Sequence, residues 1–168
     1  MDITIRPALP AEYEALGDIT ARAYLGDGLL TYGADDPYLA RLKDVAGRAA
    51  TAAAEVLVAV LDDGRVVGGV TFAAPGSALC DIARPDEAEF RMLAVAREGR
   101  GRGAGEALVR ACVDRARAVD GVRRLVLSTT PDMLGAHRIY ERLGFVRSPE
   151  RDWEPVPDLT LLTYGLAL

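Results

Sequence analysis

Between residues 96 and 106 the chain reads Ala-Arg-Glu-Gly-Arg-Gly-Arg-Gly-Ala-Gly-Glu, with glycines at 99, 101, 103 and 105. The run follows an apolar, strand-like segment over 89–95 and opens a helix-like one. Alternating glycines at a strand-to-helix junction leave several backbone N–H groups unpaired, and the helix start adds partial positive charge. Such a junction is a seat for phosphate or pyrophosphate. Arg97, Arg100 and Arg102 bring forked donors to the same place. Groups able to move protons stand on either side, Glu89 upstream and His137 and Tyr140 downstream.

Other glycine-rich phosphate loops make demands this run does not meet. A P-loop ends in Gly-Lys-Ser/Thr, whereas the single lysine, Lys43, lies far upstream. The dinucleotide form Gly-x-Gly-x-x-Ala fits residues 99–104, but it requires an acid at the end of the next strand, and that strand closes Leu127-Ser128-Thr129. A nucleotide-dependent oxidoreductase stays open only as a third reading.

Arg100-Gly101-Arg102-Gly103-Ala104-Gly105 matches Arg-x-x-Gly-x-Gly, and Ala136-His137-Arg138-Ile139-Tyr140-Glu141-Arg142-Leu143-Gly144-Phe145 matches Ala-x-x-x-Tyr-Glu-x-x-Gly-Phe. In order and separation the two motifs resemble those of the GNAT superfamily of N-acetyltransferases, over most of the chain from Ile3 to about Leu166. The resemblance implies acetyl-CoA as co-substrate. It implies that Arg100, Gly101, Arg102, Gly103, Ala104, Gly105 and Glu106 hold the pyrophosphate. Leu93, Ala94 and Val95, on the family's splayed strand, would pair with the pantetheine arm and donate to the thioester oxygen. Tyr140 would be the acid for the leaving thiolate, its solution pKa of about 10 lying above the thiol's, about 8.5. Glu89 stands eleven residues before Arg100, the spacing of the base glutamate in histone-acetylating members. Met133 replaces an asparagine that often contacts the arm, so Thr129 or Thr130 is expected to supply the polar contact. His137 is expected to face the coenzyme or the surface.

Transfer from a thioester to an amine needs a neutral amine, a fixed carbonyl, oxyanion donors and a proton for the thiolate. The expected activity is acetyl transfer to a primary amine of a small molecule, by direct attack in a ternary complex. A protein N-terminus or lysine is the alternative acceptor, and a non-catalytic coenzyme A sensor is the alternative of another class. Asp81, Asp86, Glu87 and Glu89, with Asp152 and Glu154 around Trp153, form a candidate lining for a cationic amine.

With 168 residues, half of them hydrophobic, the chain is expected to form one domain over 1–168. The net charge of −5 argues against general affinity for nucleic acid. One histidine and two cysteines, Cys80 and Cys112, are too few for a soft-metal site, and Cys112 falls on an apolar helix stripe as an ordinary buried thiol. No signal-like segment or long apolar run is present, so a cytoplasmic protein without membrane contact is expected. A homodimer is one assembly open to it.

The elements that must position these groups follow from pattern. Strands are expected over 3–5, 56–61, 66–73, 89–95, 124–129, 145–147 and 159–166. Asp62-Asp63-Gly64-Arg65 makes the second and third a hairpin. Helices are expected over 10–24, 37–53, 105–119 and 131–143, the last capped by Thr130 and closed by Gly144. The turn-rich stretch 26–37 lies where the resembled family overhangs the acceptor. The fold expected is α/β (α+β): a mixed, mostly antiparallel sheet of six to seven strands flanked by about four helices.

Overall fold

Strand β2 (Ala54–Leu61) shows how the sheet is covered: Leu57, Ala59 and Leu61 enter one apolar cluster, while Val56, Val58 and Val60 enter another on the opposite face. A period of two with both sets apolar requires cover on both sides. The computed structural model describes residues 2–168. Along them run β1 (Ile3–Pro7), α1 (Tyr13–Gly26), α2 (Tyr38–Lys43), α3 (Val45–Ala49), β2, β3 (Val66–Ala73), β4 (Glu87–Val95), α4 (Ala104–Ala118), β5 (Arg124–Thr129), α5 (Leu134–Arg142), β6 (Val146–Arg147), β7 (Trp153–Val156) and β8 (Leu159–Ala167). The sheet order is β1-β2-β3-β4-β5-β8-β6, with β7 paired to β8. Only β4 and β5 run parallel.

Helix α4 buries Leu108, Val109, Cys112 and Ala116 against Phe90, Leu125 and Leu127, while Leu16 of α1 and Val45 of α3 cover the other face. Burial pushes the Cys112 thiol well above its ordinary pKa. The hairpin between β2 and β3 turns at Gly64, whose φ of +86° suits glycine. Gly144, at φ +93°, ends α5 as expected.

Three elements differ from expectation. The second helix is broken at Asp44, whose carboxylate accepts from the Gly47 N–H at 3.0 Å and caps a new helix, so five helices appear. Helix α5 starts at Leu134, not Pro131; residues 130–133 form a turn held by the Met133 N–H on the Thr130 carbonyl, and Thr130 does not cap. Trp153–Val156 pairs with β8, giving eight strands, one more than the upper expectation. A proline at 155 suits this only because β7 is an edge.

The parallel pair is short: it covers Glu87↔Arg124 to Glu89↔Val126, although β4 continues to Val95 and β5 to Thr129. Beyond that point the strands diverge into a wedge. On its other side β4 pairs Arg91 with Thr71 and Ala94 with Gly69, so Val70 stands against both Met92 and Leu93. This is a β-bulge, and Met92 sits at its centre with φ +57°.

The root of the wedge is tied by Glu87, which is 1% exposed and accepts from both terminal nitrogens of Arg151 at 3.0 and 2.8 Å. Burial, the largest single influence, would raise its pKa, but the Arg151 donors, the Arg84 N–H and the charges of both arginines together outweigh it and hold the carboxyl below the ordinary range. A depressed folded-state pKa gives stability that is complete above the unfolded value of about 4.3 and is lost as pH falls through the folded one. Glu87→Gln should therefore cost about 1–3 kcal/mol at neutral pH. The difference from the parent, measured by urea unfolding from pH 7 to 3, should shrink below about pH 4.3.

Candidate active site

The wedge opens into a cleft of about 660 Å³. Leu93, Ala94 and Val95 of β4 form one wall, Ala136 and Ile139 of α5 another, and the glycine loop closes one end. From residue 90 onward the edge of β4 that faces β5 has no strand partner, so main-chain donors and acceptors face the cleft. At the loop, Gly101 and Gly103 take φ of +76° and +81°, and Gly103 is the N-cap of α4 without any side-chain cap. The first turn of α4 therefore presents unbonded N–H groups at Ala104, Gly105 and Glu106 along the same wall. Gly105 also lets α5 approach, since a Cβ there would stand 3.0 Å from Ile139 Cδ1.

Arg100 lines the cleft and meets Asp27 at 3.2 Å, from the end of α1. An adjoining hollow of about 240 Å³ adds Arg22 and Arg97. Glu106 has its carboxylate tied to Arg142 at 2.6 Å and Arg110 at 3.5 Å, so only its backbone serves the seat. An anion end, an apolar wall and a bare main-chain edge fit a pyrophosphate carrying an amide-bearing arm.

Sequence reasoning singled out further residues that the structure distributes otherwise. Met133 lines the cleft, but Thr129, Arg102 and Tyr140 are not on its wall. Thr129 is buried and donates to Met133 Sδ at 3.4 Å, whereas the buried Thr130 hydroxyl has no hydrogen-bond partner, which makes Thr130 the freer of the two. His137 lies on neither the cleft wall nor the surface. It is buried, donates from Nε2 to the Thr130 carbonyl at 3.0 Å and packs on Tyr164. Its apolar neighbours on α5 take it into the core.

Tyr140 packs among Phe90, Phe145 and Tyr164 with ring centroids 5.6–5.9 Å apart. Burial, and then the nearby Tyr24 phenol, raises its pKa far above 10. Tyr24 itself lines the cleft, and burial raises its pKa too. Glu89 is 2% exposed; its Oε1 accepts N–H groups of Asp81, Ile82 and Ala83 at 2.9–3.0 Å. Burial raises its pKa, and those donors only partly offset this.

The acids do not gather into one cationic-amine site. Asp81 pairs with Arg91, Glu87 with Arg151 and Asp152 with Arg147, while Trp153 Nε1 donates to Ser128. Sequence reasoning missed Tyr24, Asp27 and the Met92 bulge. Asp27 lay in a visibly turn-rich stretch, but no residue type marks the bulge.

A strand splayed beside a helix-start anion seat defines a class, and the sequence profile of the acetyltransferase (GNAT) family matches residues 18–145. The chain belongs to the GNAT acetyltransferase family. The fold is similar to a GNAT acetyltransferase from Staphylococcus aureus, 15% identical over 99% of both chains with a TM-score of 0.76. It is also similar to a phosphinothricin acetyltransferase from Sinorhizobium meliloti solved with acetyl-CoA, 22% identical over 100% of this chain and 89% of that one, TM-score 0.71. A Streptococcus pneumoniae GNAT acetyltransferase aligns at 18% identity over 99% and 100%, TM-score 0.68. No curated protein matches the chain. No helix among the described residues is long and apolar enough to cross a membrane.

A Cβ at Gly103 would meet nothing within 4 Å, so the first effect of valine there is backbone strain at φ +81°. Gly103→Val should weaken coenzyme A binding about five- to thirty-fold in calorimetry, by about 1–2 kcal/mol. Because the folded loop bears the same strain, the variant's melting temperature should fall by only about 2–8 °C; an unchanged affinity would place the pyrophosphate elsewhere.

Proposed function

We propose that the chain is a single-domain N-acetyltransferase that moves the acetyl group of acetyl-CoA to a primary amine of a small molecule, within a ternary complex. The observation that carries this is that one cleft runs from the helix-start glycine loop along Leu93, Ala94 and Val95, where β4 has just passed its bulge and its edge has no strand partner. Acetyl-CoA supplies the activated acyl group and a thiolate leaving group. The chain's part is positional and electrostatic. The loop and first turn of α4 bind the pyrophosphate, and the unpaired β4 groups hold the arm and donate to the carbonyl oxygen as charge develops.

Tyr140 is our candidate for protonating the leaving thiolate. A phenol held far above pKa 10 is neutral at pH 7, so it serves as a donor and not as a base. Tyr24 is the second candidate because it lies on the cleft wall. Glu89 is the candidate base, acting through water on Oε2, which accepts one N–H, that of Asp81 at 3.2 Å. Its raised pKa suits proton acceptance nearer neutrality. The Sinorhizobium phosphinothricin acetyltransferase favours a small-molecule acceptor over a protein amine.

Thiol release over a panel of small amines and peptides tests this. Small amines should turn over, peptides should not, and tight coenzyme binding with no turnover would make the chain a sensor. With a productive amine, Tyr140→Phe should lower kcat by roughly ten- to ten-thousand-fold with coenzyme affinity nearly intact. If Tyr24→Phe shows that loss instead, the donor is Tyr24. Glu89→Gln should cut the rate most at low pH, where the amine is protonated; an unaltered pH–rate profile would leave Glu89 as the anchor of residues 81–83.

A further inference from the structure

Arg91 lies on β4 two residues before Leu93 of the cleft wall, where the strand has just left β5. That is about 7 Å further toward the root of the wedge. One end of its guanidinium is committed: Nη1 donates to the Leu79 carbonyl at 3.0 Å and meets Asp81 Oδ2 at 3.1 Å. The side-on edge is different. Nε is buried and has no hydrogen-bond partner, and Nη2 has only a long contact to the Tyr38 hydroxyl at 3.3 Å. Elsewhere in this chain the same Nε/Nη2 edge is what grips a carboxylate, as where Arg115 holds Glu55 at 3.3 and 3.2 Å. A buried donor without an acceptor is costly, and an Nε/Nη2 fork held by only one long contact matches a carboxylate.

The surroundings carry the same sign. Thr71 stands opposite Arg91 across the sheet and accepts from Nε of Arg48, so both guanidiniums lie on one face. Arg48 is 6% exposed, and its other partners are the carbonyls of Arg41 and Leu42. Among the described residues it has no carboxylate within 4 Å. Against two cations stand Asp81, already paired, and Glu89, whose proton burial retains more readily. Tyr38 links this face to the cleft, its ring 6.4 Å from that of Tyr24.

We infer that the acceptor is an amine that carries its own carboxylate, an amino acid, whose carboxylate is gripped by the Nε/Nη2 fork of Arg91 in place of the long Tyr38 contact. Arg48 adds attraction from behind without touching it. The inference rests on the acetyltransferase reading above. It replaces the cationic amine suggested by the scattered acids with an acceptor that is anionic at one end.

The test pairs free amino acids with their carboxamides under saturating acetyl-CoA, reading thiol release. Free acids should exceed amides at least ten-fold in kcat/KM. Arg91→Gln should abolish that preference, and Arg91→Lys, which keeps the charge but not the fork, should retain only part of it. Amides that serve as well as acids, or a preference that survives Arg91→Gln, would overturn the inference while leaving acetyl transfer intact. Calorimetry of N-acetyl amino acids with coenzyme A present needs no turnover. Binding should weaken at least ten-fold in Arg91→Gln, and equal binding would refute the site. Absence of turnover on every amine alongside arginine-dependent binding would instead defeat the acetyltransferase reading. If Arg91→Gln fails to fold, the lysine variant decides by the same acid-to-amide ratio.

Discussion

Main-chain pairing between β4 and β5 stops after Glu89↔Val126, and the rest of the site depends on that stop. Six residues of β4 and three of β5 continue with an edge that no strand satisfies. Interior backbone groups must be paired by something, and water or a ligand with an amide-bearing arm is what can reach them. The bulge at Met92 keeps β4 bonded to β3 while it bends away from β5. The glycine loop that ends β4 then brings the start of α4 to the mouth of the wedge, so anion seat and bare edge face the same cleft.

What holds the wedge open is packing on one side and buried charge at its root. Phe90, Tyr140, Phe145 and Tyr164 form tilted and edge-on ring contacts that fix α5 and the tail against β4, each worth about 0.5–1.5 kcal/mol beyond burial. At the root, Glu87 ties Arg151, and Glu89 gathers the N–H groups of residues 81–83. These carboxylates alternate with Ala88 and Phe90, which are buried among the apolar residues under α4. One strand thus organises the core with one face and these buried carboxylates with the other.

The strand-to-helix glycine junction was legible because its physics is local: alternating glycines, a strand before and a helix after. The β2–β3 hairpin, α4 and β5 were legible for the same reason, as strong periodic runs with clear punctuation. The break at Asp44 was not, since an aspartate inside an alanine-rich helix pattern becomes a cap only when tertiary packing turns the chain there. Trp153–Val156 reads as loop because a proline-bearing edge strand owes its existence to β8. His137 and Tyr140 share one helix, and motif position alone did not show that both rings turn inward. The pairing of acids with arginines was invisible too, because Glu87 and Arg151 are 64 residues apart. Charge in a sequence gives composition, while partnership is set by topology.

The central claim is that the unpaired edge of β4 and the first turn of α4 together receive acetyl-CoA. Hydrogen exchange with and without acetyl-CoA, resolved to single amides, tests it most directly. The account predicts slowed exchange at residues 92–95 and 103–106, with little change in β1, β2 and β6. Saturated coenzyme binding with no added protection at 92–95 would contradict it, because the arm would then lie somewhere other than the wedge.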